Sequence, residues 1–419
     1  MKTLKIVDMF CGGGGESSGL MSAADEYDFK VNLSAINHWK RAIDTHAANF
    51  PFANHFCESV QNLQPDEVCP DHKVDLLWAS PECTHHSNAR GGQPRSEQSR
   101  ASAWEILRWC GLLYIERVII ENVPEFMTWG PLDEDGHIIE KDKGKTFRAF
   151  IQGLRSLGYT VDWRVLCAAD YGAPTTRKRL FIQAVKGRKK ILWPEHTNTE
   201  DSNNLFGLPK WRSAAEIIDW SIPCPLITKR SKTLAPATIR RIEHGMRKYW
   251  GTKAEPFLAI LRGTGTVRSL DKPLPTVTCS GAHYALVQPF ITAIGQTSRI
   301  DRSRHITKPL STICTKQEHC LVTPFITEYY GNGKAHKLSA PLLTLTTKDR
   351  FGLVLPDGIG VDVGFRMLQP NELAAATGFP SDYKFIGTKV ETVKQIGNAV
   401  PPVFAKALLE TILKEKVGA

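Results

Sequence analysis

Two side chains define the chemistry this sequence could perform: the thiol of Cys83 and the carboxyl of Glu121. Cys83 follows Val74-Asp75-Leu76-Leu77-Trp78-Ala79, an apolar run short and bounded enough to be a buried strand. Pro81 has no N–H to donate and biases Ser80 to an extended shape, so strand pairing ends there. The thiol therefore falls just past a strand's carboxyl end, where open α/β sheets hold their ligands. From Ser87 to Ser102 the chain is rich in Gly, Ser and Arg and has no apolar periodicity, the composition of a loop. A cysteine at the base of a basic flap suggests a nucleophile covered once substrate binds. The competing reading is a small buried core residue, the usual fate of a free thiol. Glu121 ends a second apolar strand, Arg117-Val118-Ile119-Ile120, and opens Glu121-Asn122-Val123-Pro124. It is either a solvated loop residue or an acid placed on the same sheet edge as Cys83.

The elements that must hold these groups read as alternating strands and helices. Leu4 to Met9 is a first strand, followed by Phe10-Cys11-Gly12-Gly13-Gly14-Gly15-Glu16-Ser17-Ser18-Gly19. Glycine permits the tight turn and close backbone approach that wrap a ligand at a helix N-terminus. The spacing is neither the dinucleotide Gly-x-Gly-x-x-Gly nor a phosphate loop, and no Lys follows, which disfavours a triphosphate. Val31 to Ile36 alternates like a second strand and leads through Asn37-His38-Trp39 to a helix from Arg41 to Asn49. That position in a βαβ unit is where an adenosine ribose is held, although a lone His or Trp there serves equally well as packing. Ala103 to Glu116 reads as one amphipathic helix, with Ile106, Leu107, Cys110, Leu113 and Tyr114 on a face. Trp129 to Lys145 is a polar surface hairpin turning at Asp135-Gly136. A helix through Phe150 and Leu154 precedes a strand pair, Tyr159 to Cys167 and Arg179 to Val185, with Arg177-Lys178-Arg179 in the connection. A short helix from Asn371 and a closing helix, Val403 to Lys414, complete the pattern.

At 419 residues, 42% hydrophobic and 23% charged, the chain can hold two or three globular domains. It contains no 18-residue apolar run, so no membrane span is expected, and it enters a strand at once without a signal-peptide core. Ten cysteines at irregular spacing, with no Cys-x-x-Cys pair, suit a reducing cytoplasm. His46, His55, Cys57, His85 and His86 fit no common ligand spacing, so no metal is expected. A net charge of +10 favours a polyanionic partner. The stretch Thr228 to Lys253 concentrates Lys229, Arg230, Lys232, Arg240, Arg241, Arg247, Lys248 and Lys253 against Glu243, either a solvated helix face or a phosphate contact.

From about Gly187 to Gly360 the character changes and an internal repeat emerges. Pro256-Phe257, Pro289-Phe290 and Pro324-Phe325 recur in phase with Lys272-Pro273-Leu274, Lys308-Pro309-Leu310 and Ala340-Pro341-Leu342. Thr and β-branched residues punctuated by Pro and Gly read as short strands. The fold expected is therefore α/β, a doubly wound sheet with an inserted, smaller β-rich domain. Residues 1–187 would form the catalytic and cofactor-binding part, 188–360 the insert, and 361–419 the segment that completes the first domain.

Taken in order, these motifs resemble the DNA (cytosine-5) methyltransferase family over nearly the whole chain. The family's opening Asp-x-Phe-x-Gly-x-Gly-Gly matches Asp8, Phe10, Gly12, Gly14 and Gly15. Its Pro-Cys nucleophile motif matches Pro81-Glu82-Cys83, with Glu82 where the family places Pro, and Ser87 four residues on. Its Glu-Asn-Val is Glu121-Asn122-Val123, and its Gln-x-Arg-x-Arg is reduced to Thr175, Arg177 and Arg179. Arg366, Leu368, Glu372 and Gly378-Phe379-Pro380 match a further block, and Gly397-Asn398-Ala399-Val400-Pro401 the last.

The resemblance implies a Rossmann-like fold and S-adenosylmethionine as methyl donor. Phe10 and Trp39 would pack against its adenine, Glu58 would bond the adenine amino group, and the turn of Gly12, Gly14 and Gly15 would pass the methionine part. Pro81 and Asn398 would brace the same wall. His38 stands where the family usually has a Glu on the ribose hydroxyls, so either His38 takes that role or the donor is a more anionic analogue. Cys83 would add to C6 of a cytosine flipped out of double-stranded DNA, since cytosine C5 is otherwise a poor nucleophile. Glu121 would bond N3 and the amino group, Arg177 would hold O2, and Arg179 would orient the site. Ser87, Arg90, Arg240 and Arg241 would contact DNA, and the repeat module would read sequence in the groove. The enzyme would act as a monomer in a bacterial or phage-type cytoplasm, bound to nucleoid DNA, with a cognate restriction endonuclease as a candidate companion. Alternatives are an RNA cytosine methyltransferase and, in a different class, a DNA-binding module without turnover.

Overall fold

Strands of this chain carry apolar residues at nearly every position, the mark of a parallel sheet buried on both faces. The computed structural model describes residues 2–82, 101–201, 205–212, 214–217, 219, 221–222, 231, 290–293, 303–305, 309, 319–323, 325–327, 335–337, 364–367 and 369–417. Cys83, Ser87, Arg90, Arg240, Arg241 and most of the repeated segments lie outside these residues.

Seven strands form one sheet: β1 (Lys2–Met9), β2 (Phe29–Ile36), β3 (Asn54–Phe56), β4 (Lys73–Ala79), β5 (Tyr114–Asn122), β6 (Tyr159–Cys167) and β7 (Lys178–Lys186). Their order is β3-β2-β1-β4-β5-β7-β6. The first five pair in parallel, and β7 runs antiparallel to both neighbours. Strand order reverses between β1 and β4, so the carboxyl ends of these two strands flank the crevice where doubly wound sheets bind ligands.

Period-two alternation divides the core between the two faces. Val7, Leu77, Val118 and Ile120 pack with Ile106 and Trp109 of α4 (Trp104–Leu112) and with Phe150 and Leu154 of α5 (Lys145–Ser156). Their chain neighbours Ile6, Leu76 and Ile119 point the other way, onto Leu20 and Ala23 of α1 (Gly15–Glu26) and onto Phe404, Leu408 and Ile412 of α8 (Pro402–Val417). The remaining helices are α2 (Lys40–Asn49), the short α3 (Pro65–Val68), α6 (Pro370–Thr377) and α7 (Lys389–Asn398). Phe404 is completely buried against the rings of Phe181 and Tyr171, and its truncation to Ala would cost about 3–5 kcal/mol.

One expected element is corrected. The helix read as Ala103 to Glu116 ends at Leu112, because Leu113 turns extended (φ −115°, ψ 152°) and Tyr114 already begins β5. The β-favouring run Tyr114-Ile115-Glu116-Arg117-Val118 overrides the helical spacing, and Tyr114 is left exposed rather than on a core face. The stretch Lys389–Val417 is long and apolar enough to cross a membrane if it were continuous, but it is two helices broken at 399–401 and is mostly buried.

The chain divides into two units, Met1–Ile218 with Thr307–Gln317 and Gln369–Ala419, and Asp219–Ile306 with Glu318–Leu368. Within the second, β8 (Phe290–Ala293), β9 (Ser303–His305), β10 (His319–Thr323) and β13 (Gly364–Met367) form an antiparallel sheet in the order β13-β10-β8-β9. A separate ribbon joins β11 (Phe325–Thr327) to β12 (Ala335–Lys337).

Candidate active site

The first part of the site is the turn between β1 and α1. Phe10 takes a left-handed backbone (φ 65°), as do Gly12 and Gly14, and this reverses the chain within a few residues. Gly15 and Gly19 serve packing. A β-carbon on Gly15 would stand 2.2 Å from the Val400 carbonyl oxygen, and one on Gly19 would stand 2.0 Å from that of Pro402. The closing segment thus lies directly on the start of α1. The Tyr383 hydroxyl adds a hydrogen bond to the Gly13 carbonyl at 2.5 Å.

A cavity of about 210 Å³ opens at the carboxyl ends of β1 to β4. It is lined by Phe10, Asn37 and His38, by Glu58 to Gln61, and by Glu82, Ser102 and Glu105. Asn37 shapes its rim, its side chain accepting the Trp39 N–H at 2.8 Å. Glu58 Oε1 accepts from the Ser59 N–H and from Asn62 Nδ2, both at 2.8 Å, and these bonds hold its carboxyl below the usual range. Oε2 has no partner among the described residues. Such a lining offers an apolar wall for a flat ring, an acceptor for an amino group and negative charge for a cation.

Of the cofactor residues expected from sequence, Phe10, His38 and Glu58 line this cavity together. Gly12, Gly14 and Gly15 build the turn below it. Trp39 does not line it; Lys394 Nζ sits 4.5 Å from the centroid of its ring. Asn398 ends α7 in an exposed position.

The second part is built by β5 and β7. Because β7 runs antiparallel to β5, its start lies at the end of β5, with Asn122 opposite Leu180 and Glu121 opposite Phe181. Arg177 and Arg179, two residues apart, are both buried there. Arg179 Nε meets Glu121 Oε1 at 2.8 Å, and Arg179 is further fixed by donating to the Lys178 carbonyl at 2.8 Å. Burial pushes the Glu121 carboxyl above its ordinary range, against the opposing pull of Arg179 and then Arg177. Asn122 completes the edge: its Nδ2 donates to the Pro81 carbonyl at 3.1 Å, tying the segment after β4 to the end of β5.

Sequence reasoning did not single out Asn122 as a site residue, although an amide directly after a strand-end acid was the available signal. It also missed a buried chain beneath the glycine turn. Ser17 Oγ donates to Asp8 Oδ2 at 2.5 Å, His46 Nε2 meets Ser17 Oγ at 3.0 Å, and His46 Nδ1 meets His55 Nε2 at 2.8 Å. Burial raises Asp8 to about 7, raises Glu16 well above the carboxylate range, and lowers His46 to about 3. His46 therefore spends both ring nitrogens on His55 and Ser17, and His55 spends its Nε2 on His46.

The family description "C-5 cytosine-specific DNA methylase" matches residues 4–219 and 265–414 of this chain. The type II methyltransferase M.AgeI of Thalassovita gelatinovora is 24% identical, covering 98% of this chain and 99% of its own length. M.XorII of Xanthomonas oryzae pv. oryzae is 26% identical, covering 97% of this chain and 84% of its own length. In fold, the chain is similar to the methyltransferase EhMeth of Entamoeba histolytica, with a TM-score of 0.55 at 13% identity over 100% of this chain and 99% of that one. A Rossmann-like sheet, a buried acid paired with arginine at its edge and a family match over most of the length agree. The chain belongs to the C-5 cytosine-specific DNA methylases and is a DNA (cytosine-5) methyltransferase.

Proposed function

We propose that this enzyme methylates C5 of a cytosine turned out of double-stranded DNA, using S-adenosylmethionine and a transient bond from Cys83 to C6. The observation that carries this reading is Glu121, buried, raised by that burial and held by Arg179 on the edge tied to Pro81. A carboxyl in that state donates to N3 of the base and accepts from its amino group as the ring takes up electrons. The Cys83 sulfur adds as thiolate, the form that a cation beside the thiol would favour at neutral pH. Arg177 holds the base at O2, and Arg179 fixes the carboxyl. Water then takes the proton from C5, and the sulfur leaves C6.

S-adenosylmethionine, when bound, supplies the electrophilic methyl group that C5 accepts. Phe10 would flank its adenine, Glu58 Oε2 would take the adenine amino group and His38 would reach the ribose. Among the described residues the cavity lining carries Glu58, Glu82 and Glu105 and neither Lys nor Arg, which favours a cationic donor over an anionic analogue.

Residues 188–360 form the target-recognition domain in this reading, with Ser87, Arg90, Arg240 and Arg241 on the DNA. In this reading the enzyme would modify DNA in the cytoplasm as a monomer, alongside a cognate restriction endonuclease. The test uses DNA carrying 5-fluorocytosine at the target, found beforehand by bisulfite sequencing of cells expressing the enzyme. Fluorine in place of the C5 proton blocks release, so the wild type with cofactor should give a denaturant-resistant adduct and Cys83→Ser none. An adduct retained in Cys83→Ser would remove the nucleophile from this scheme.

A further inference from the structure

We infer that Glu82, the residue preceding the nucleophile, reads the charge on the donor's sulfur and gives the cofactor cavity its preference for the cationic donor over the neutral product. This rests on the cofactor reading above. Three carboxylates line the cavity, and two of them already have partners. Glu58 Oε1 accepts from Ser59 and Asn62, and Oε2 is committed to the adenine amino group in the cofactor reading. Glu105 is paired with Arg108 Nε at 2.7 Å, and Arg108 is itself held by the carbonyls of Val60 and Leu63 at 2.9 Å. Glu82 lines the cavity and has no ion pair among the described residues.

Its place in the chain supplies the second argument. A methyl group can reach C5 only beside the carbon joined to the Cys83 sulfur. Glu82 is one peptide away, its Cα about 3.8 Å from that of Cys83. The preceding residue is anchored by Asn122 on the Pro81 carbonyl, so the Glu82 backbone is held against the end of β5. The donor's sulfur is a cation before transfer and a neutral thioether after it. A carboxylate at this point attracts the first and is indifferent to the second, which favours exchange of spent product for fresh donor. Glu82 is exposed, so the attraction is screened and amounts to roughly 2- to 5-fold in affinity.

Calorimetric titration of the full chain with S-adenosylmethionine, S-adenosylhomocysteine and sinefungin, whose ammonium replaces the sulfonium, tests this without reference to activity. Glu82→Gln should weaken the two cations roughly 2- to 5-fold and leave the neutral thioether as in wild type. Glu105→Gln combined with Arg108→Gln, which removes the pair without changing the net charge, should leave the ratio of cation to thioether unchanged. An equal shift for all three ligands in Glu82→Gln, or no shift, overturns the assignment, as does a change of ratio in the Glu105→Gln, Arg108→Gln double variant equal to that in Glu82→Gln. Failure of wild type to bind any of the three overturns the cofactor reading, and this inference with it.

Discussion

Glu121 and Arg179 form a buried pair, Oε1 to Nε at 2.8 Å, in which burial raises the acid and the guanidinium opposes it. The carboxyl is therefore poised between donor and acceptor roles. Glu121→Gln preserves shape and removes that choice. Methyl transfer should fall about 10²- to 10⁴-fold. Cofactor affinity should stay unchanged, as read by transfer of labelled methyl to DNA and by titration. Activity within a few-fold of wild type would show that the carboxyl does not take part.

Asn122 is predicted to act on rate through position. Asn122→Ala leaves the Pro81 carbonyl without its donor, at a cost of about 1–3 kcal/mol in stability. The segment leading to the nucleophile then loses its tie to β5, and single-turnover rates should fall by up to about 10²-fold. Stopped-time assays at saturating cofactor would separate this from a loss of binding.

Gly15 and Gly187 offer a matched contrast. Gly15→Ala drives a methyl group into the Val400 carbonyl, whereas Gly187 has a positive φ of 82° but nothing within 4 Å of an added β-carbon. Gly187→Ala should therefore lower stability only by backbone strain, about 1–2 kcal/mol, and leave cofactor binding intact. Gly15→Ala should depress the thermal midpoint further and weaken cofactor binding as well. Equal effects in the two variants would contradict the packing role of Gly15.

Asp8 and His46 give stability opposite pH slopes. Asp8, raised to about 7, keeps a proton in the native chain that the unfolded chain releases in the ordinary carboxylate range, so its contribution is full at acid pH and is lost as pH rises towards about 7. His46, lowered to about 3, stays unprotonated when native, so its contribution is present above the ordinary imidazole range and is lost as pH falls through it. Asp8→Asn removes the first slope only. Its thermal midpoint should gain more than that of wild type between about pH 5 and about pH 7. Parallel curves would mean that Asp8 is not the group responsible.

The sheet and its edge were legible because apolar runs end in chemically distinctive residues: Met9 before Phe10, Ile36 before Asn37, Ile120 before Glu121. The convergence of Glu121 with Arg179 was legible only through family resemblance, since 58 positions separate them and an antiparallel β7 must be inserted to bring them together. The end of α4 was misread because Leu113 and Tyr114 continue a helical spacing while the backbone has already turned to strand. The chain from Asp8 to His55 escaped notice for another reason. Its members are spread over β1, α1, α2 and β3, and no local pattern reports that they meet.

The contact of Val400 and Pro402 with Gly15 and Gly19 also joins the two ends of the chain in time. The residues of β1 and α1 are synthesised long before those that press on them. The turn between β1 and α1 thus lacks this brace until the closing segment has been made.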